Sequence, residues 1–216
     1  MNIKYLFFSL FALIVLSACK PNSIEIEVYT SDIKSVSNGE VLEVPLKASF
    51  NLMGEDKENQ LPKAKIIALK YLPTDSEVQI AKGTYGKVMS VVTTIPIGNK
   101  TGIQEYLKKN SRLAAVFVEG GTVKILPTPA ALKKLNKELS TINFMLSVNL
   151  PASSTTFRIV GDTKEKMNIS AIAVFSEKKP YLLYSKDVKR RKSIELKFMG
   201  GDGSVYKEIP PQFSVK

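Results

Sequence analysis

Apolar and polar residues alternate with a period of two along most of the chain. This pattern is typical of strands that bury one face. It begins at residues 23–29 and continues over 40–52, where Pro45 indicates an edge strand or a bulge. Further strands are predicted at 65–72, 77–82 and 86–97, in a hairpin over 112–126 that turns at 119–121, and at 156–160, 167–176, 181–185, 193–199 and 204–209.

Two segments have the spacing of amphipathic helices. The first opens at Thr101, whose distance in sequence to Gln104 matches a capping box, and extends to Asn110. The second follows Thr128, with Pro129 at its first position. Its apolar face consists of Leu132, Leu135, Leu139 and Ile142. We therefore expect a strand-dominated α+β fold with a mostly antiparallel sheet, two short helices and a β-rich, sandwich-like C-terminal part.

The first eighteen residues have a different pattern. Lys4 is their only charge, and residues 5–16 are apolar apart from Ser9. A run of about a dozen apolar residues is short for a bilayer core of roughly 30 Å, but it has the length of a signal-peptide core. The N-terminus therefore predicts export of the chain.

The apolar run ends in Leu16-Ser17-Ala18-Cys19. This tetrapeptide resembles the lipobox of bacterial lipoproteins, in which a branched apolar residue and two small residues precede a cysteine. The resemblance implies cleavage after Ala18, a diacylglyceryl group on Cys19, and acylation of the new amino group by a fatty acid such as palmitate. Because Lys20 rather than aspartate follows, it also implies the periplasmic side of the outer membrane. The alternative is an ordinary secretory signal in which Cys19 is incidental.

These features divide the chain into four parts. We expect a signal peptide at 1–18, a lipidated tether at 19–22, an α+β domain at 23–150 and a β-rich domain or subdomain at 151–216. The tether spans only about 14 Å when extended, which would hold the folded part close to the bilayer.

The residue types that are absent or rare exclude several chemistries. The chain has no histidine and one cysteine. Catalysis by Ser-His-Asp or Cys-His groups, zinc sites built on histidine or cysteine, c-type haem attachment and structural disulfides are therefore excluded. No segment has the spaced acidic residues of a calcium loop. We expect no cofactor and no metal site.

The positive charge favours anionic partners. Lysine and arginine number 31 against 20 acidic residues, which gives a formal net charge of +11. Candidate partners are anionic lipid headgroups, lipopolysaccharide phosphates and acidic envelope proteins. Nucleic acid is not expected, because the signal exports the chain and no nucleic-acid module is recognisable.

The densest cluster of positive charge is Lys189, Arg190, Arg191 and Lys192, between two predicted strands. Near an anionic surface each cation contributes about 1 kcal/mol, so these four residues are the candidate anionic-surface site. A solvated turn that keeps neighbouring strand edges from pairing is the alternative interpretation.

Catalytic motifs are weak. Ser31 with Lys34, and Ser176 with Lys179, have the Ser-x-x-Lys spacing of penicillin-binding enzymes, whose chemistry needs the pair on a helix. Both pairs fall in predicted strands or turns. Acidic pairs such as Glu55-Asp56 lie in a predicted loop, and the sequence does not show whether any two carboxylates face each other.

Several short segments after Cys19 resemble those of small uncharacterised lipoproteins of enterobacteria and their prophages. They are residues 25–29, Ser31-Asp32-Ile33, Val44-Pro45 and Ile95-Pro96. The resemblance implies no known activity. We therefore predict a membrane-anchored, periplasm-facing protein with a non-enzymatic binding role at an anionic surface or on an envelope protein. A structural subunit of an envelope complex and a carboxylate-based hydrolase of envelope polymers are the alternatives.

Overall fold

The computed structural model describes residues 21–53, 59–84, 86–143, 146–150, 153–200 and 210–216. Over these residues the elements are, in chain order, β1 Pro21–Tyr29, α1 Thr30–Ser37, β2 Val41–Met53, α2 Gln60–Leu69, β3 Glu77–Gly83, β4 Gly86–Gly98, α3 Lys100–Lys109, β5 Ala114–Glu119, β6 Thr122–Pro127, α4 Pro129–Leu139, β7 Ser154–Val160, β8 Met167–Ser176, β9 Lys179–Val188, β10 Ser193–Phe198 and β11 Gln212–Val215. None of the four described helices has the length and apolar character that would let it cross a membrane.

Nine of the described strands close into a barrel. Their order is β10-β7-β1-β2-β4-β5-β6-β11-β8, and the pairing of Lys197 with Phe175 joins β8 back to β10. Within this ring β1 and β7 are parallel, as are β4 and β5, while the other neighbours are antiparallel. In the part of the chain described, β3 pairs only with β4 and β9 only with β8, so both lie outside the ring.

The strand pairings are mostly antiparallel as expected, but the expectation of two helices and a sandwich-like C-terminal part is wrong, because the strands close a barrel and four helices are described. Strands from both halves of the sequence close one barrel, because β7 pairs with both β1 and β10. The period of two indicates which strands bury one face, but it does not indicate which distant strands pair, and closure depends on those pairings.

Two of the four described helices were not predicted. Helix α1 follows β1 without a break, and α2 occupies part of the run 65–72 that was expected to be a strand. Ile66 and Ile67 favour strand locally, and packing overrides that preference. The two predicted helices are confirmed as α3 and α4. The expected cap of α3 is wrong, because Asn99 rather than Thr101 accepts the hydrogen bond from Gly102 N, at 2.8 Å.

The barrel interior is filled by one face of each strand. Three aromatic rings, from β7, β10 and β11, meet there edge to face. Phe157 lies 6.1 Å from Phe198 and 5.2 Å from Phe213 between ring centroids. All three are fully buried. Aliphatic side chains of β1, β4, β5 and β8 pack around them in the same core.

Helix α1 is fastened to the loop after β7 by Asp162. The carboxylate accepts hydrogen bonds from Thr30 Oγ1 at 2.8 Å and from Ser31 N at 3.0 Å, at the first turn of the helix. Burial acts to raise the pKa of Asp162, but the hydrogen bonds from Ser31 and Thr30 outweigh it and hold the pKa below its usual value. The charged form therefore stabilises the helix N-terminus.

The strand directions define two ends of the barrel. At the Pro21 end lie the last residues of β2, β8 and β10 and the first residue of β9. At the Tyr29 end lie α1, the β5–β6 turn and the turn between β9 and β10. β1 is about 26 Å long, so with a barrel tilt of about 40° the two ends are about 20 Å apart along the axis.

Candidate functional site

The barrel wall has a gap on one side of β4. Near the Tyr29 end β4 pairs with β5 through Ile97 and Gly98. Near the Pro21 end the same strand pairs with β3 instead. A gap therefore opens between β3 and the β5–β6 hairpin. Helices α2 and α4 and residues 146–150 fill it and form a second apolar cluster with the sheet.

The two helices supply the side chains that face this gap. Leu61 and Ala64 of α2 and Leu135 and Leu139 of α4 are buried against the inner face of β2, β3 and β4. The apolar face predicted for the second helix is thus confirmed at Leu135 and Leu139. Leu61 and Ala64 were missed, because the alternating pattern around them predicted a strand and a loop.

A cavity of about 120 Å³ lies between the helices and the sheet. Its lining is almost wholly apolar, and includes Ile24, Phe50, Leu61, Ala68, Met89, Val91, Leu135, Leu139, Leu146 and Val148. Among the described lining residues there is no aspartate or glutamate, and the polar ones are threonine, serine, tyrosine and a single arginine. Apolar cavities of about 150 Å³ stay dry and take up benzene, so this one suits an apolar group of similar size.

Glu138 joins the two covering helices at the surface. Its carboxylate accepts hydrogen bonds from Lys70 Nζ at 2.8 Å and from the Tyr71 hydroxyl at 2.5 Å. The hydrogen bond from Lys70, followed by that from Tyr71, lowers the pKa of Glu138, and the same carboxylate raises the pKa of Tyr71. Because the pair with Lys70 is exposed, it resists separation of the helices only weakly.

Residues 146–150 lie across the cavity as a strap held by α4. The Asn136 side chain accepts a hydrogen bond from Val148 N at 2.7 Å and donates one to Val148 O at 3.1 Å. Asn143 Nδ2 donates to Gln60 Oε1 at 3.2 Å, which links the end of α4 to the start of α2. Side-chain hydrogen bonds thus hold the strap to α4 and link α4 to α2 beside the cavity.

Arg112 is the one charged residue among the described residues that line the cavity. Its Nη2 lies 3.2 Å from Glu43 Oε1 and donates to the Tyr106 hydroxyl at 3.0 Å, and its guanidinium lies 5.6 Å from the centroid of the Tyr106 ring. Tyr106 also donates to Glu43. Burial, together with the bond to Glu43, raises the pKa of Tyr106. Glu43 therefore balances the charge of Arg112.

The predicted anionic-surface residues come together in the turn between β9 and β10. Lys189, Arg190, Arg191 and Lys192 are all exposed there, and we call them the basic turn. Arg191 has a left-handed φ of 61°, and its N–H donates to Gly161 O at 2.7 Å. Gly161 N in turn donates to Lys192 O at 2.8 Å. Cys19, the other predicted site residue, lies outside the described residues.

The basic turn lies at the Tyr29 end of the barrel, away from the strand end that follows Cys19. The separation of about 20 Å exceeds the screening length of about 8 Å at physiological salt. A bilayer touching the Pro21 end would therefore exert little electrostatic attraction on this turn.

One Ser-x-x-Lys pair lies in a context that was not expected. Ser31 and Lys34 are on helix α1, not in a strand or turn. Different carboxylates bind the two side chains, since Ser31 Oγ donates to Asp162 and Lys34 Nζ to Glu165. The pair therefore fastens α1 to the loop after β7. Within the residues described, no three acidic, cysteine or histidine side chains gather where they could hold a metal ion.

Comparison with known protein families identifies the family of this chain. A family described as a domain of unknown function (DUF7424) matches residues 22–198. The chain belongs to this family. The DUF7424 match includes every residue that lines the cavity and the whole basic turn. No curated protein and no solved structure matches the chain.

Proposed function

We propose that this DUF7424 protein is a lipid-anchored, non-enzymatic binding protein of the bacterial cell envelope that takes an apolar chain into the cavity beneath α2 and α4. The apolar cavity of about 120 Å³ is the observation that carries this proposal. Mouths of β-barrels are frequent ligand sites, with apolar walls and a few polar groups that orient the ligand. Arg112 and Tyr71 are such groups in this lining.

An acyl chain is the ligand class that best suits this cavity. In the closed state the cavity accommodates a few methylene groups or one ring. A longer chain fits when α2 and the strap move outward. The hydrogen bonds of Glu138 to the end of α2, and of Asn136 to the strap, resist that movement. The described lining residues include no carboxylate pair for hydrolysis, so we favour binding over the hydrolase alternative.

Filling the cavity is expected to weaken the binding of a fatty acid. Every described strand lies between Pro21 and Val215, so residues 20–216 contain the whole barrel. With this protein and fluorescent cis-parinaric acid, Ala68→Phe should weaken binding at least tenfold, about 1.4 kcal/mol, because Ala68 lines the cavity. The titration of fluorescence enhancement measures the affinity.

The matched control is Ile66→Phe. Ile66 lies two residues earlier on the same helix and is 65% exposed, so an aromatic ring there stays outside the cavity. Its affinity should equal that of the unmodified protein, and circular dichroism checks that both variants are folded. Equal binding by Ala68→Phe, or no saturable binding by the unmodified protein, would rule out this ligand site.

The lipid anchor is tested on the full-length chain in bacteria grown with labelled palmitate. Because Cys19 is the only cysteine, Cys19→Ser should remove all incorporated label and release the protein from the membrane fraction. Ser17→Ala, which preserves a small residue, should retain the label. A labelled Cys19→Ser protein would contradict the anchor.

The basic turn is part of the proposal as a contact for an anionic envelope partner. Its place at the Tyr29 end favours a partner other than the bilayer that holds Cys19, such as an acidic protein or lipopolysaccharide phosphates. Because the four cations of the basic turn are exposed, salt should weaken such a contact.

A further inference from the structure

One sector of the barrel carries most of the exposed large apolar side chains. Eight such side chains are exposed among the described residues, and five of them lie on the β8–β9 hairpin or directly after β10. We call these five the hairpin patch, which consists of Ile172, Phe175, Leu182, Leu183 and Met199. Leu182 and Leu183 are consecutive and are 78% and 76% exposed. Clustered exposure of this kind is typical of an interaction surface.

The position of β9 outside the ring explains why Leu182 and Leu183 are exposed. β9 lies outside the closed ring and pairs only with β8 among the described strands. Ala173, which the register places opposite Leu182, has a left-handed φ of 51°. The hairpin is therefore irregular at the point where the leucines lie, and it leaves both of them in solvent.

Positive charges surround the hairpin patch. Lys178 lies with Glu177 in the turn between β8 and β9, Lys179 begins β9, and Lys197 lies opposite Phe175 on β10. Lys186, further along β9, is paired with Glu177 at 2.5 Å. Apolar side chains framed by lysines match a surface whose outer layer is anionic and whose inner layer is apolar, which describes a bilayer with anionic headgroups.

One edge of the patch, formed by Phe175 and Met199, lies at the end of the barrel where β1 begins. The β8–β9 turn and the end of β10 are at the Pro21 end of the barrel. Around the ring, β8 is three strands from β1, which is about 14 Å. Pro21, where the described part of the chain begins, is therefore close to this edge of the patch, and a lipid on Cys19 would bring a bilayer there.

We propose that the hairpin patch is a membrane-docking surface, on which Leu182 and Leu183 enter an anionic bilayer while the surrounding lysines contact its headgroups. A second copy of the chain is a poorer occupant, because two patches rich in lysine repel each other on a chain of net charge +11. The docking surface is separate from the cavity, so its test does not depend on a cavity ligand.

The test is sedimentation of residues 20–216 with vesicles of phosphatidylcholine alone or mixed with phosphatidylglycerol, at low and high salt. The protein should sediment with the anionic vesicles and less so at high salt. The double variant Leu182→Ser with Leu183→Ser should lower the partition coefficient at least tenfold, because two leucines no longer enter the bilayer. Both positions are exposed, so the barrel should remain folded, as circular dichroism verifies.

Two further variants distinguish this surface from others. Val92→Ser removes an exposed apolar side chain from β4, outside the patch, and should leave partitioning unchanged. Replacing all four residues of the basic turn by glutamine should also spare most of the binding. The proposal is overturned if the unmodified protein does not bind anionic vesicles, if the double leucine variant binds like it, or if only the basic-turn variant loses binding. Dimers in lipid-free solution that the leucine variant abolishes would instead assign the patch to a second copy.

Discussion

Replacing Phe157 by alanine is expected to lower the free energy of unfolding by about 3–5 kcal/mol. The ring is fully buried and contacts the rings of Phe198 and Phe213 edge to face. It lies on β7, which connects β1 to β10 in the ring. A closed barrel collapses poorly around a lost ring, so a cavity would remain among these strands. Urea denaturation of residues 20–216, followed by far-ultraviolet circular dichroism, measures the change.

Phe175→Ala is the matched control for this variant. Phe175 lies on β8, close to the point of barrel closure, but it is exposed on the outer surface. Its removal should therefore cost less than about 1 kcal/mol. Similar losses for the two variants would contradict the role of the three-ring contact as the centre of the barrel core.

The strands around Phe157 could be predicted because their physical signature is local. A strand with one buried face alternates apolar and polar residues whatever its partners are. The predicted run 167–176 coincides with β8, and the run 193–199 differs from β10 by one residue. The hairpin predicted over 112–126 is likewise confirmed as β5 and β6, because a short turn pairs strands that are neighbours in sequence.

Closure of the barrel could not be predicted because it depends on contacts between distant segments. The parallel pairing of β1 with β7 joins the first and seventh strands of the chain, and neither strand contains a signal for the other. Helix α2 was missed for a related reason. Its residues gain their helical conformation from burial of Leu61 and Ala64 against α4 and the sheet, although Ile66 and Ile67, which follow them, favour strand.

The candidate site was predicted only in part. Periodicity identified the apolar face of α4, and charge density identified the basic turn, since both are properties of a single segment. The described residues that line the cavity come from eight separate segments of the chain, so no local pattern indicates it. The opposite placement of the basic turn and the Pro21 end also follows from strand directions alone. The cavity and Pro21 thus lie toward one end, and the basic turn lies at the other.

Gly161→Ala is expected to lower the free energy of unfolding by about 3 kcal/mol, the upper part of the range for overpacked sites. A β-carbon at Gly161 would lie 2.2 Å from the Lys189 carbonyl oxygen and 2.7 Å from its carbonyl carbon. These are backbone atoms, so no side-chain rotation relieves the contact. The basic turn would have to move away, and its hydrogen bonds through Arg191 N and Gly161 N would break. Urea denaturation gives the stability, and amide hydrogen exchange at Arg191 reports the turn itself.

The control for this variant separates steric contact from backbone conformation. Gly120 in the β5–β6 turn has a left-handed φ of 56°, but nothing lies within 4 Å of an added β-carbon. Gly120→Ala should therefore cost only the conformational penalty of about 1 kcal/mol and leave exchange at Arg191 unchanged. Gly161→Ala should cost clearly more and accelerate that exchange. The two variants could instead lose the same unfolding free energy, with the Arg191 amide still protected from exchange. The contact of Gly161 with the Lys189 backbone would then not hold the basic turn in place.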